Sequence, residues 1–365
     1  MAQRHLIKMP KIRELEFITK EGKSFRGKLL KGYVALYISD DYWILSKGYF
    51  LYKYDPVSEK IRFFSKLDDK FNSVASRFRL TRRFLRAEIT KLYRFSDTWF
   101  CIARKGIFRY NCASGNFEVC HIIERGSRPL NLCQDNDGTI YYGEYFGNPN
   151  RTPVGIYASK DLGTVWKKVF EFKEDEINHI HGLFMDKFTD RLWVFTGDDD
   201  VACIAGYTTD GFKTFVREFE GRQEYRVCVP LFKNGSIIYP TDSQYVVNTI
   251  RRIDRETKEI QDLTTIQGSG IYAVDTGKFY LVSTTVEPST VNTDNNSHLW
   301  YSSDGEKWIE LLSFKKDRFN RNLFQFGSIR FPNYAKPCDY IVITGRALKR
   351  LDQSTLIIPI NQISG

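Results

Sequence analysis

Two histidines stand two residues apart in Asn178-His179-Ile180-His181-Gly182, and an acidic run, Asp198-Asp199-Asp200, follows one turn later. Residues i and i+2 of a β-strand point to the same face, so both imidazoles are expected on one side. A neutral imidazole accepts protons and binds metals. A zinc site needs a third protein ligand, which Asp198 or Glu144 would supply; the pair alone does not make one, and no cofactor is expected. Other polar groups lie in loops nearby in sequence: Arg125 and Arg128 in ERGSRPL, Glu144, Tyr145 and Arg151 in GEYFGNPNRTPV, Arg226 in GRQEYR, Asp242 in YPTDSQY, Glu287, and Arg330 in SIRFP. Arginine pairs in a bidentate manner with carboxylates, so this set suits an acidic ligand. A lyase would neutralise a sugar carboxylate with Arg151 or Arg226 and use His181 or Tyr145 as base and acid. A hydrolase would pair Glu144 with Asp198 or Glu287. His181, Tyr145 and Glu144 are therefore the candidate catalytic groups. Arg128, Arg151, His179, Asp198, Arg226, Asp242 and Glu287 are the candidate substrate contacts.

The elements that position these loops are read from a repeat. The stretches YASKDLGTVW from Tyr157, YTTDGFKTF from Tyr207 and YSSDGEKW from Tyr301 share an aromatic, a Ser or Thr, an Asp, a Gly and a closing aromatic. A second corner recurs as YDPVSEKI from Tyr54, YNCASGNF from Tyr110 and IDRETKEI from Ile253, and LDQSTL from Leu351 fits it in part. Successive corners fall 46 to 56 residues apart. Such a period marks an array of supersecondary units. Short strands and turns fill each unit, so the expected fold is all-β. It is a β-propeller of seven four-stranded blades, with six as the rival count, because a ring protects sheet edges. Residues 33–360 form the ring and 1–32 an N-terminal segment. Residues 12–18 could add a closing strand, although 326–360 already reads as four strands of its own.

The first corner type resembles the Asp-box, or BNR repeat, of sialidase-like propellers, Ser-x-Asp-x-Gly-x-Thr-Trp. Ser159, Asp161, Gly163 and Trp166 match it, with Val165 in the Thr place; the copies carrying Asp210 and Gly211, and Asp304, Gly305 and Trp308, are shorter before the Gly. The resemblance implies that these residues are structural and that Trp166, Phe215 and Trp308 occupy equivalent buried places. It implies nothing specific about activity. The Phe-Arg-Ile-Pro motif of sialidases is absent. If the corners lie on one face of the ring, the loops carrying the candidate site lie on the other.

Net charge is +10, which favours an anionic partner. An acidic oligosaccharide or polysaccharide fits the loops best, whether the protein acts as a lyase or hydrolase or only binds. A non-catalytic glycan- or protein-binding module is the alternative. Nucleic acid ranks last, since the positive charge is scattered. One basic run stands out, RFRLTRRFLR at 77–86. It reads as an amphipathic segment packed through Phe78 and Leu80, or as an anion surface. The seven Cys are odd in number and contain no CxxC pair, so they read as reduced core residues. No apolar leader or membrane-length window occurs, and a cytoplasmic location is the expectation.

Overall fold

A computed structural model describes residues 11–19 and 22–363; residues 1–10 of the N-terminal segment lie outside them. The chain is a β-propeller built almost wholly of short antiparallel strands. Consecutive strands group into six four-stranded sets, called here blades 1 to 6, beginning at residues 34, 91, 133, 179, 231 and 269, and a last set, called blade 7, begins at residue 327. As hydrogen-bonded they form six sheets, because Thr285 and Val286 of blade 6 pair with Ser328 and Gly327 of blade 7 and merge the two. Apolar residues of each sheet pack against the next blade. Phe100 and Ile102 of blade 2 meet Ile140 and Tyr142 of blade 3, and Trp193 of blade 4 meets Tyr239 of blade 5. The core is thus a series of inter-blade layers.

Blade 7 departs from the sequence reading. Its own stretch supplies three strands, Gly327–Arg330, Tyr340–Arg346 and Thr355–Pro359. The fourth is Ser24–Leu30, which pairs antiparallel with Thr355–Pro359, and Ile12–Ile18 adds outside it. The strand counted as blade 7's own, Asn333–Tyr334, instead runs parallel to Val34–Ile38 of blade 1. Asn333 is pulled there by a bond from its side chain to the Leu92 carbonyl, 2.6 Å. The N-terminal strands therefore close the ring, a role alternation in SFRGKLL permits, since Phe25, Gly27 and Leu29 face inward.

All six full-length corners lie between the third and fourth strands of a blade. The three corners of the first type share one pattern of hydrogen bonds. Ser159, Thr208 and Ser302 donate to the following Asp, at 2.8, 2.9 and 3.0 Å. The same hydroxyls accept from the N–H of Gly163, Phe212 and Gly305. Asp161, Asp210 and Asp304 then accept backbone N–H groups further on, and those bonds hold their carboxyls below the usual range. In the middle corner Phe212, at φ 71°, takes the place of Gly163 four residues past the hydroxyl, and Gly211 stands one residue earlier. Gly163 needs its φ of 81° and also its missing Cβ, which would sit 2.8 Å from the Phe100 ring. Trp308 is buried, whereas Trp166 and Phe215 are only partly so; each packs with its blade's core.

Residues 79–85 form a helix, but it is seated differently from the expectation. Arg82 and Arg83 are the buried residues, and Phe78 and Leu80 are exposed. The guanidinium of Arg83 pairs with Asp317 at 2.5 Å, and Arg82 donates to the Ser76 carbonyl and to Gln353. Hydrogen bonds of Arg82 and Arg83 dock the basic run, and Leu85 and Phe84, not Phe78 and Leu80, add its apolar contacts. All seven Cys are free thiols; Cys112 is exposed and Cys120 partly so, and the other five are buried.

Candidate functional site

The innermost strand of blade 4, His179–Asp186, starts with the histidine pair. Pairing with Arg191–Gly197 slips between Ile180 and Gly182, so His181 is the extra residue of a β-bulge. Both imidazoles are buried, with ring centroids 5.1 Å apart. Nδ1 of His181 lies 3.0 Å from the Val227 carbonyl. A carbonyl only accepts, so that nitrogen carries the proton and Nε2 keeps its lone pair. Burial, with His179 and Arg226 nearby, drives the His181 pKa well down. Burial also lowers that of His179, against the pull of Asp198. Both are neutral imidazoles at neutral pH.

Asp198 faces them from the end of the next strand. Its Oδ1 is 3.6 Å from His179 Nε2 and 4.0 Å from His181 Nε2. The turn is tight: a Cβ on Gly197 would fall 2.5 Å from His181 Cε1, and Asp198 itself sits at φ 139°. A non-glycine residue in that region stores about 1–3 kcal/mol of backbone strain. Gln223 and Arg226 both donate to the Asp198 carbonyl, at 2.9 and 3.1 Å, and hold the turn. Arg226 Nη2 then bridges two carboxylates, Asp198 at 3.0 Å and Asp242 at 3.5 Å. Burial opposes the guanidinium charge, but Asp242 and Asp198 outweigh it and raise its pKa.

Three more groups complete the set. Cys228 donates its thiol to Asp242 at 3.3 Å, its pKa pushed far up by burial and by that carboxylate. Tyr145 lies edge-on to His179, centroids 4.4 Å apart, and burial keeps its phenol protonated. Glu287 comes from blade 6; burial, then the Asp242 charge, push its carboxyl up to about 7. Among the described residues, His179, His181 and Asp198 present ligand atoms within 4.8 Å of one another, as do His181, Cys228 and Asp242. The first triad offers two imidazole nitrogens and one carboxylate oxygen, a donor set suited to a divalent transition metal.

Seven predicted residues thus meet or neighbour one another: His179, His181, Asp198, Arg226, Asp242, Tyr145 and Glu287. Glu144 does not join them. Its carboxylate is taken by the Arg125 guanidinium and by the Gly155 N–H at 2.7 Å. Arg151 sits at φ 44° with its carbonyl accepting from Asp175, and its side chain makes no described contact with the cluster. Arg128 lies beyond Tyr145, among other cations. Cys228 and Gln223 were not foreseen. Cys228 is two residues past Arg226 on an apolar run, the parity that could have pointed to it.

No protein-family profile matches the chain, and no curated protein sequence matches it. Solved structures do. An oligogalacturonate lyase in complex with manganese aligns with a TM-score of 0.62 at 9% identity, over 96% of this chain and 98% of that one. These chains share a propeller. The extracellular domain of a one-component system from B. thetaiotaomicron aligns at 0.56 and 11%, over 95% of this chain and 45% of that one. A chain of the mitotic checkpoint complex aligns at 0.51 and 10%, over 98% and 94%. At such identities the likeness establishes the propeller fold alone.

Proposed function

We propose that the chain binds an acidic oligosaccharide at the mouth formed by blades 3 to 6 and carries out proton transfer on it, in the manner of a polysaccharide lyase. One observation carries this reading: groups of opposite proton affinity share one partly buried mouth. Glu287 is poised near pH 7, His179 and His181 are held neutral, and the Tyr145 phenol is held protonated. Environments that push neighbouring titratable groups apart are the mark of acid and base roles. β-Elimination next to a carboxylate needs a base for the proton on carbon and an acid for the leaving oxygen. Glu287 suits the first and Tyr145 the second. His181 is turned into the protein by Val227 and serves as a support or a metal ligand. Hydrolysis is the weaker reading, because Glu144, the acid expected to pair with Asp198 or Glu287, is committed to Arg125. The likeness to an oligogalacturonate lyase in complex with manganese agrees with this reading, and the divalent metal would sit on His179, His181 and Asp198.

The test is incubation with acidic oligosaccharides, with and without manganese, following both the ultraviolet absorbance of unsaturated product and the release of reducing ends. Turnover with unsaturated product is expected, with at least about a hundredfold loss in Tyr145→Phe. Tight binding without product would point to the alternative, a non-catalytic glycan-binding propeller. No binding to any acidic glycan would end the carbohydrate reading.

A further inference from the structure

Three cations meet inside the ring without a partner. Lys91 opens the innermost strand of blade 2, Arg128 lies in the segment entering blade 3, and Arg330 ends the innermost strand of blade 7. The Arg330 guanidinium lies 5.3 Å from the ring centre of Tyr272, on the innermost strand of blade 6. Arg128 feels the charges of Arg330 and Tyr272, and Lys91 that of Arg330. Residues of blades 2, 3, 6 and 7 approach one another only around the ring axis, so the three cations share the central channel. Lys91 and Arg330 line one cavity together with Thr344, Arg346 and Glu88, whose carboxylate is already taken by Arg346, Gln325 and Gln353.

Two other arginines of this region have counter-groups. Arg346 is held by Glu88, and Arg83 by Asp317. Among the described residues, Lys91, Arg128 and Arg330 form no ion pair. Arg128 Nη1 and Arg330 Nε are shut off from solvent with no hydrogen-bond partner. Like charges gathered in a half-buried place and left unpaired are unfavourable. Burial and the neighbouring Arg330 push Lys91 down to about 8 and Arg128 down to about 10. An anion placed between them would satisfy the orphaned donors and relieve the repulsion.

We infer that Lys91, Arg128 and Arg330 bind one small anionic group, a carboxylate or an inorganic oxyanion, in the central channel. Arg128 also lies near Tyr145, so the site adjoins the mouth. On the proposed function the anionic group is a carboxylate of the sugar acid seated there; a free inorganic oxyanion offers the same chemistry. The source, not the site, rests on that reading.

The experiment is calorimetric titration of the full chain, at fixed ionic strength, with inorganic phosphate, with glucuronate, and with glucose as the neutral control. One phosphate or one glucuronate per chain is expected to bind, and glucose not to. Lys91→Met and Arg330→Met should each weaken that binding about tenfold or more, the loss of a charge-assisted hydrogen bond. Each variant should also melt higher than wild type in phosphate-free buffer, since a repelling charge is gone, and should lose the wild-type gain on adding phosphate. Glucuronate binding without phosphate binding assigns the site to the sugar; phosphate alone assigns it to a free oxyanion and leaves the carbohydrate reading without this support. Binding of neither by wild type, or equal binding in both variants, overturns the inference. A failure of oligosaccharide turnover does not touch it, because phosphate needs no sugar.

Discussion

Glu287→Gln should stabilise the protein at alkaline pH and leave it unchanged in acid. The folded protein raises the Glu287 carboxyl from its ordinary 4.5 to about 7, first by burial and then by the charge of Asp242. The folded state therefore holds this proton across that interval while the unfolded chain has released it. Stability tied to the protonated form is complete below about 4.5 and is lost as pH rises to about 7. With about 1.4 kcal/mol for each tenfold change in proton affinity, the loss amounts to about 3 kcal/mol at pH 8. Glutamine keeps the shape of the protonated acid and carries no charge at any pH. Urea unfolding of chelator-treated wild type and variant, at pH 4.5 and pH 8, measures the difference. The expected result is no gap at the lower pH and a gain of up to about 3 kcal/mol at the higher. A gap of the same size at both pH values, or a variant less stable at pH 8, would refute the placement of Glu287 beside Asp242 in a poorly solvated mouth.

Two other outcomes follow from buried partners. Arg226→Met should destabilise by about 3–5 kcal/mol, since it strands Asp198 and the buried Asp242 without their cation; adding Asp242→Asn should cost less than the sum of the single changes by about 1 kcal/mol or more, and additivity within about 0.5 kcal/mol in the double-mutant cycle would break the proposed bridge. Ser159→Ala and Ser302→Ala should each lower stability by about 1–3 kcal/mol, because the N–H of Gly163 or Gly305 loses its acceptor, with glycan binding at the opposite face unchanged; a loss of binding at equal stability would contradict a purely structural corner.

The corners were legible because their chemistry is local. Asp161 and Ser159 bond within five residues, so sequence spacing carries the whole geometry. The histidine pair was legible for a reason that proved incomplete: parity put both rings on one side, and a bulge at His181 then re-aimed the second. Glu144 misled, because its fate depends on Arg125 across a loop, and nothing in GEYFGNPNRTPV reveals that pairing. Cys228 hid among apolar neighbours, and its partner Asp242 lies 14 residues on, in the loop past the strand Ser236–Pro240. The basic helix was misjudged for the same reason. Arg83 docks on Asp317, 234 residues away. Contacts across the ring leave no periodic trace in the chain.

Ring closure has a consequence for how the chain is made. The Thr355 hydroxyl donates to the Tyr33 carbonyl and accepts from the Ala35 N–H, the latter across 320 residues. At about 5–20 residues per second, a ribosome needs roughly 15–60 s to deliver the second partner after the first. Through that interval Ser24–Leu30 has left the tunnel as a strand with one edge bare. Loop-closure entropy rises only slowly with length, so the final pairing is thermodynamically cheap; the exposure is kinetic. The charges at Arg26 and Lys28 alternate with the inward residues along that waiting strand. Charged side chains on a bare edge discourage pairing with other nascent chains, and the same residues that face solvent on the finished blade guard it while it is still unfinished.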